Sequence, residues 1–124
     1  MVWKGVIVEE SLENRDILDK VTEVGYAESF LEEEEDKGVM HFHQFEISDD
    51  KKDWFVETAK KCIQHGWYIH ICKDGVMIVI FRDKSFEFSA NEKEKTDAAI
   101  NYGLSVGIIM DQMPFEELIK DPFY

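Results

Sequence analysis

Residues Trp67 to Phe88, WYIHICKDGVMIVIFRDKSFEF, decide the fold. This stretch contains the longest apolar run in the chain, Val76 to Phe81, and has turn residues at Asp74-Gly75 and again at Asp83-Lys84. Runs rich in β-branched and aromatic residues, bounded by such dipeptides, are typical of strands joined by tight turns. The stretch therefore predicts two strands around Asp74-Gly75, followed by a short third strand.

Both faces of this predicted hairpin are largely apolar, because successive residues of a strand point to opposite sides. One face carries Tyr68, His70, Cys72, Met77, Val79 and Phe81. The other carries Trp67, Ile69, Ile71, Val76, Ile78 and Ile80. A two-layer α+β domain needs only one apolar sheet face. The first face must therefore be covered by the C-terminal part of the chain or by a second subunit.

The order of predicted elements before this stretch indicates the fold class. Strand, helix, strand, strand, helix and strand is the order of a ferredoxin-like βαββαβ unit. We therefore expect one α+β domain over residues 1–124, a two-layer sandwich whose ferredoxin-like start is extended by a hairpin strand pair and a C-terminal helix. The six predicted elements are Val2–Glu9, Leu12–Val24, Tyr26–Glu35, Val39–Ser48, a helix from Ser48 to His65, and Trp67–Lys73.

The C-terminal third adds a helix and a tail. Ser89 with Glu92 three residues later has the spacing of a capping box, and predicts a helix that runs to Tyr102. The apolar residues from Leu104 to Met110 predict a last short strand. Pro114 is suited to the first turn of a final short helix.

The composition excludes several classes of partner. The formal net charge is −13, and the sequence contains no cluster of Lys and Arg that could form a basic surface. Such a surface argues against nucleic acids and anionic membranes, and is compatible with a basic protein partner or a cationic ligand. The two cysteines form no disulfide framework, and the N-terminal sequence does not resemble a signal peptide. We therefore expect a cytoplasmic protein with reduced thiols.

The residues most suggestive of chemistry are His41, His43, His70 and Cys72. Each pair is spaced i, i+2 and shares one face of its strand. Imidazole and thiolate are good zinc or copper ligands. In a ferredoxin-like sheet, however, the third and fourth strands flank the first and lie about 9.5 Å apart. No metal ligand is therefore assigned.

Other interpretations of the same residues predict no chemistry. A turn at Asp36-Lys37-Gly38 would place Glu33 across from His41, an ordinary cross-strand charge pair. The acidic run from Glu32 to Asp36 is typical of a solvated edge strand. Cys72 beside His70 suggests a nucleophile with its base, but no third group orients them. We therefore assign no catalytic residue and no cofactor.

Three functions remain as hypotheses. The first is a non-enzymatic binding or interaction module that forms a homodimer through its apolar sheet face. The second is a small enzyme or small-molecule-binding protein with its site on the same face. The third is a metal-binding protein. The candidate interface residues are Tyr68, Met77, Val79 and Phe81, and the candidate ligand-binding residues are Tyr68, His70, Cys72, His41 and His43.

Overall fold

The computed structural model of the chain describes residues 2–30 and 39–123. These residues form an antiparallel sheet of six strands in the order β2-β3-β1-β4-β5-β6. The α+β class is thereby confirmed. The strands are β1 (Val2–Val8), β2 (Thr22–Phe30), β3 (Val39–Ser48), β4 (Ile69–Lys73), β5 (Val76–Phe81) and β6 (Lys84–Ser89). The α-helices are α1 (Lys52–Cys62), α2 (Lys93–Ser105) and α3 (Phe115–Lys120).

The predicted three-strand stretch forms β4, β5 and β6. Asp74 and Gly75 both have positive φ, 51° and 79°, as a type I′ hairpin turn requires. This turn sets the register that pairs Ile71 with Ile78. The local sequence thus determines this half of the sheet.

β1 joins the two halves of the sheet, because β3 and β4 flank it on either side. Gly5 lies at the point of closest approach. A Cβ at this position would meet the backbone carbonyl oxygen of His70 and would lie 3.1 Å from the Phe45 ring. The absence of a side chain at Gly5 therefore allows β1 and β4 to pair.

Gly5→Ala is expected to lower the free energy of unfolding by about 1–3 kcal/mol or more, because a backbone atom cannot move aside as a side chain can. Gly25→Ala in β2 is the matched control, since a Cβ there would meet only the flexible side chain of Gln44. Urea unfolding of both variants checks the prediction. Equal losses in the two variants would contradict it.

The sheet has helices on both faces, so the predicted two-layer arrangement does not describe it. One face, the α1 face, is the larger core and includes Phe45, Phe55, Ile63, Ile71 and Ile80. The opposite face, the C-terminal face, is covered over β4 to β6 by α2 and α3. Its buried side chains are Cys72, Met77, Val79, Phe81, Phe88, Ala99, Ile108, Met113, Phe115, Leu118 and Ile119.

The predicted helix over Leu12 to Val24 is wrong. Leu12 forms an isolated β-bridge with Ile63, and the next residues form only a 3₁₀ helix, Arg15–Lys20. β2 then begins at Thr22, which pairs with Glu46 of β3. The chain between β1 and β2 therefore lacks the α-helix that a ferredoxin-like start contains.

The predicted strand over Leu104 to Met110 is also wrong. α2 continues to Ser105, and Gly107 follows with a φ of 95°, the left-handed conformation that commonly ends a helix. The amide of Ile108 donates to the carbonyl oxygen of Gly103 at 3.0 Å. The segment is thus a helix end, and Ile108 packs into the core of the C-terminal face.

The predicted turn at Asp36-Lys37-Gly38 and the acidic run from Glu32 to Asp36 lie outside the described residues. The register of β2 and β3 pairs Glu28 with His41, so the predicted pairing of Glu33 with His41 is wrong. No helix among the described residues has the length and apolar character needed to cross a membrane.

Candidate functional site

Three side chains of the β4 region attach the C-terminal segment, residues 106–122, to the sheet. The Tyr68 hydroxyl donates to the carbonyl oxygen of Gln112 at 2.5 Å, and the Cys72 thiol donates to that of Leu118 at 3.5 Å. His70 Nε2 lies 2.9 Å from the carbonyl oxygen of Pro122. Residues predicted as a ligand site therefore hold the segment that covers their own face.

His70 is a buried, neutral member of this attachment. Only 1% of its surface is exposed. A carbonyl oxygen only accepts, so Nε2 carries the ring proton. Burial lowers the pKa of His70 to about 4, and the bond to Pro122 opposes this shift in part. The predicted small-molecule site requires a cavity at His70, and His70 does not line the cleft described below.

Cys72 does not have the character of a nucleophile. Burial raises the pKa of its thiol to about 12, so the sulfur stays protonated at neutral pH. Burial also raises the pKa of Cys62, and both cysteines are free. The pair of Cys72 and His70 therefore lacks the thiolate that nucleophilic catalysis needs.

Three of the four predicted interface residues lie in the core of the chain itself, whereas Tyr68 is half-buried beside that core and lines the cleft described below. Met77 and Val79 have no exposed surface, and Phe81 is 1% exposed. The Phe81 ring contacts Tyr102 of α2 edge-on, with centroids 4.9 Å apart. The sequence left open whether the C-terminal part of the chain or a second subunit covers this sheet face. In the structure, the C-terminal part of the chain covers it.

His41 and His43 lie on the opposite side of the sheet from His70 and Cys72. The register of β1 shows this, because paired residues lie on the same sheet face. Val6 pairs with His70, while the next residue, Ile7, pairs with His43. Successive residues of a strand face opposite ways. The four residues therefore cannot form one metal site.

A cleft opens on the C-terminal face, where α3 and residues 108–112 end above the half of the sheet that none of the described helices covers. Its volume is about 640 Å³. Its floor is a row of three side chains across neighbouring strands, since Val8 pairs with Phe42 and Phe42 pairs with Ala27. We call it the acidic cleft; its lining is Val8, Ala27, Phe42, Gly66, Trp67, Tyr68, Ile108, Asp111, Gln112, Pro114, Glu117, Leu118 and Asp121.

The charged side chains of the acidic cleft all have one sign. Asp111, Glu117 and Asp121 are the charged residues among its described lining, and that lining contains no Lys, Arg or His. The remaining lining is mainly aliphatic and aromatic. Such a surface can bury an apolar group and attract a positive charge at its rim.

Sequence reasoning missed this cleft. Tyr68 is the one predicted site residue in its lining, and its hydroxyl is bonded to Gln112. Phe42 lies between His41 and His43 in the sequence. Because successive residues of a strand point to opposite faces, Phe42 is predicted on the sheet face opposite to that of the two histidines. Asp111, Glu117 and Asp121 did not stand out as site residues in the sequence, because carboxylates are abundant throughout the chain.

No protein-family model, curated protein or solved structure matches this chain.

Proposed function

We propose that the protein is a non-enzymatic binding protein whose acidic cleft takes a small organic cation with an aromatic or aliphatic body. One observation carries the proposal: the cleft joins an apolar floor to charged side chains that are all carboxylates. This is the small-molecule-binding part of the second hypothesis, at a site that the sequence did not predict.

The shape of the cleft supports a small ligand. Its volume of about 640 Å³ falls inside the range of about 300–1,000 Å³ that is usual for small-molecule sites. Phe42, Trp67 and Tyr68 supply aromatic surface, and a cation held over such rings gains roughly 0.5–2 kcal/mol. The rim carboxylates would fix the orientation of the charged end.

The charge of the whole chain supports the same ligand. At −13, the protein field concentrates cations and repels anions before contact. An anionic ligand in the cleft would face Asp111, Glu117 and Asp121 without a basic partner in the described lining. Binding is therefore expected to weaken as salt concentration rises.

The side chains near the cleft favour binding over catalysis. Tyr68, Cys72 and His70 each donate a hydrogen bond to a backbone carbonyl oxygen of the C-terminal segment. The acceptors are Gln112, Leu118 and Pro122 in that order. Each of these groups thus has a structural role in holding the C-terminal segment. A nucleophile paired with a base does not occur among the described lining residues.

Three finer predictions from the sequence are kept as proposals of lower rank. A homodimer through Tyr68, Met77, Val79 and Phe81 would require α2 and α3 to leave the face that they cover. A ferredoxin-like arrangement of the first four strands would lack the α-helix that normally follows the first strand. Two free, buried cysteines are compatible with a reducing, cytoplasmic setting.

The proposal predicts a preference for cations among probes of equal shape. We expect 1-naphthylmethylammonium to bind at least about tenfold more tightly than neutral 1-naphthalenemethanol, a difference of about 1.4 kcal/mol, and 1-naphthoate not to bind measurably. Amide and indole ¹H–¹⁵N spectra report the site, and we expect Trp67 to shift while Trp54 does not. Equal binding of the ammonium and carboxylate probes would refute the proposal.

Neutralising the rim is the direct test of the charge argument. The triple variant Asp111→Asn, Glu117→Gln and Asp121→Asn is expected to weaken binding of the ammonium probe about tenfold or more, since each nearby carboxylate contributes Coulomb energy. Binding of the neutral alcohol is expected to stay the same.

The matched control removes three carboxylates from other exposed positions. Asp50→Asn, Glu94→Gln and Asp97→Asn change the net charge equally. We expect this control to weaken the ammonium probe by no more than about twofold, because distant exposed charges are screened. Equal weakening by both triple variants would mean that net charge, rather than the cleft, governs binding.

A further inference from the structure

A second cluster of polar side chains lies on the opposite side of the sheet from the acidic cleft. β1 ends at Val8, and the chain turns at once into a 3₁₀ helix, Glu9–Ser11. Val8 pairs with Phe42, so this helix lies beside His41 and His43 of β3. The fold thus brings two successive glutamates against two histidines that share a strand face.

Glu10 is held in place by His41. Its Oε1 accepts the backbone N–H of His41 at 2.7 Å, and its Oε2 lies 2.6 Å from the ring Nδ1 of the same residue. One carboxylate oxygen is therefore fixed by the backbone while the other faces the imidazole. Ligand atoms of Glu9, Glu10 and His41 all lie within 4.8 Å of one another.

His43 extends the cluster. Its Nε2 lies 3.0 Å from Glu9 Oε1, and its Nδ1 contacts Glu23 Oε1. The Tyr26 ring packs against both imidazoles, with centroids 6.2 Å from His41 and 5.1 Å from His43. Neighbouring groups therefore limit the rotation of both rings.

The cluster has more acceptors than donors. Both nitrogens of His41 face carboxylates, since Nε2 lies 3.8 Å from Glu28. A neutral imidazole donates one proton, so the two carboxylate contacts of His41 are satisfied together only if the ring is protonated or if a metal bond replaces one contact. Arg15 contributes a positive charge, 2.9 Å from Glu9. A divalent cation would satisfy the remaining carboxylate oxygens and an imidazole nitrogen together.

We propose that Glu9, Glu10 and His41 bind a divalent transition-metal ion of the zinc type. Imidazole nitrogen with carboxylate oxygen is a set that zinc accepts, whereas calcium and magnesium take oxygen ligands alone. Zinc ligand atoms lie about 3.3–3.6 Å apart, for bonds of about 2.0–2.2 Å in a tetrahedron. The proposal requires side-chain rotations to that spacing from the present separations, which are 2.6 Å between His41 Nδ1 and Glu10 Oε2 and up to 4.8 Å across the three residues. His43 is positioned to orient Glu9 and is not itself assigned as a ligand.

The test uses the full chain purified with chelator, titrated with ZnCl₂ and followed by calorimetry. We expect one equivalent to bind, and His41→Ala and Glu10→Gln each to weaken binding at least about tenfold. His65→Ala and Glu57→Gln, at exposed positions away from the cluster, serve as matched controls and are expected to change binding less than about twofold. Controls that weaken zinc binding as much as the cluster variants would overturn the proposal.

Histidine ring spectra of the unaltered protein give a readout that needs no variant to fold. Zinc is expected to shift the imidazole ¹⁵N signals of His41, while those of exposed His65 and buried His70 stay unchanged. Absence of any shift at His41 at millimolar zinc, or a larger shift at His65 than at His41, would overturn the proposal. Both outcomes are independent of what the acidic cleft binds.

Discussion

Lowering the pH from about 7 to about 4 is expected to remove roughly 3 kcal/mol from the free energy of unfolding through His70 alone, since burial shifts its pKa from 6.5 to about 4. In the unfolded chain His70 takes up its proton as the pH falls through 6.5. In the folded chain it stays neutral until about pH 4. Proton binding therefore favours the unfolded state between pH 6.5 and about pH 4. Below about pH 4, His70 is protonated in both states and does not change the free energy of unfolding further.

Urea unfolding between pH 7 and pH 4, with His70→Gln alongside, isolates this contribution. Glutamine keeps an N–H donor for the Pro122 carbonyl and does not titrate. Carboxylates titrate in both proteins and cancel in the difference, so the variant should lose less stability than the parent as the pH falls. Exposed His65→Gln should follow the parent. Parallel pH profiles of the parent and His70→Gln would contradict the prediction.

Phe115→Ala is expected to lower the free energy of unfolding by roughly 3–5 kcal/mol, the usual cost of emptying a core position of a large aromatic side chain. Phe115 is 1% exposed and begins α3. Its ring meets Tyr68 edge-on, with centroids 5.4 Å apart, and lies 6.0 Å from Phe88. Loss of this ring removes a buried aromatic contact between α3 and the sheet.

Glu116→Ala at the next, exposed position is the matched control and should change stability by less than about 0.5 kcal/mol. Urea midpoints of the two variants check the pair. Because α3 forms one wall of the acidic cleft, Phe115→Ala should also reduce binding of the ammonium probe. Coincident unfolding curves for the two variants would mean that α3 contributes little to covering the sheet.

The sequence predicted the structure correctly where short-range residue preferences agree with the tertiary contacts. Asp74-Gly75 has one favourable turn geometry, and it sets the pairing of Ile71 with Ile78. Half of the capping box predicted for Ser89 and Glu92 forms: Glu92 accepts from the Ser89 amide at 3.0 Å, but Ser89 ends β6 and α2 begins at Lys93. Both are short-range interactions whose partners are fixed by spacing.

The predicted helix over Leu12 to Val24 failed because its apolar residues are held by distant partners. Leu12 bridges to Ile63 at the end of α1, and Thr22 pairs with Glu46 of β3. Backbone pairing of this kind outweighs the weak preferences of individual residues for helix. A single sequence does not reveal such partners.

The candidate site was harder to predict than the fold, because it depends on register and docking. The i, i+2 spacing of His41 and His43 shows that they share a face, but a one-residue change in strand register would exchange the faces. Glu117 and Asp121 lie one helical turn apart, but the cleft that they line with Asp111 forms only when the C-terminal segment docks on β4.

The most direct test of the acidic cleft as a ligand site is the measurement of intermolecular nuclear Overhauser effects from 1-naphthylmethylammonium to the protein. The proposal predicts contacts from the naphthalene ring to Trp67 and Leu118, and from the methylene next to the ammonium group to the α3 side of the rim. Contacts to Trp54 instead, or none to Trp67 and Leu118 at saturating probe, would contradict the assignment of this cleft as the binding site.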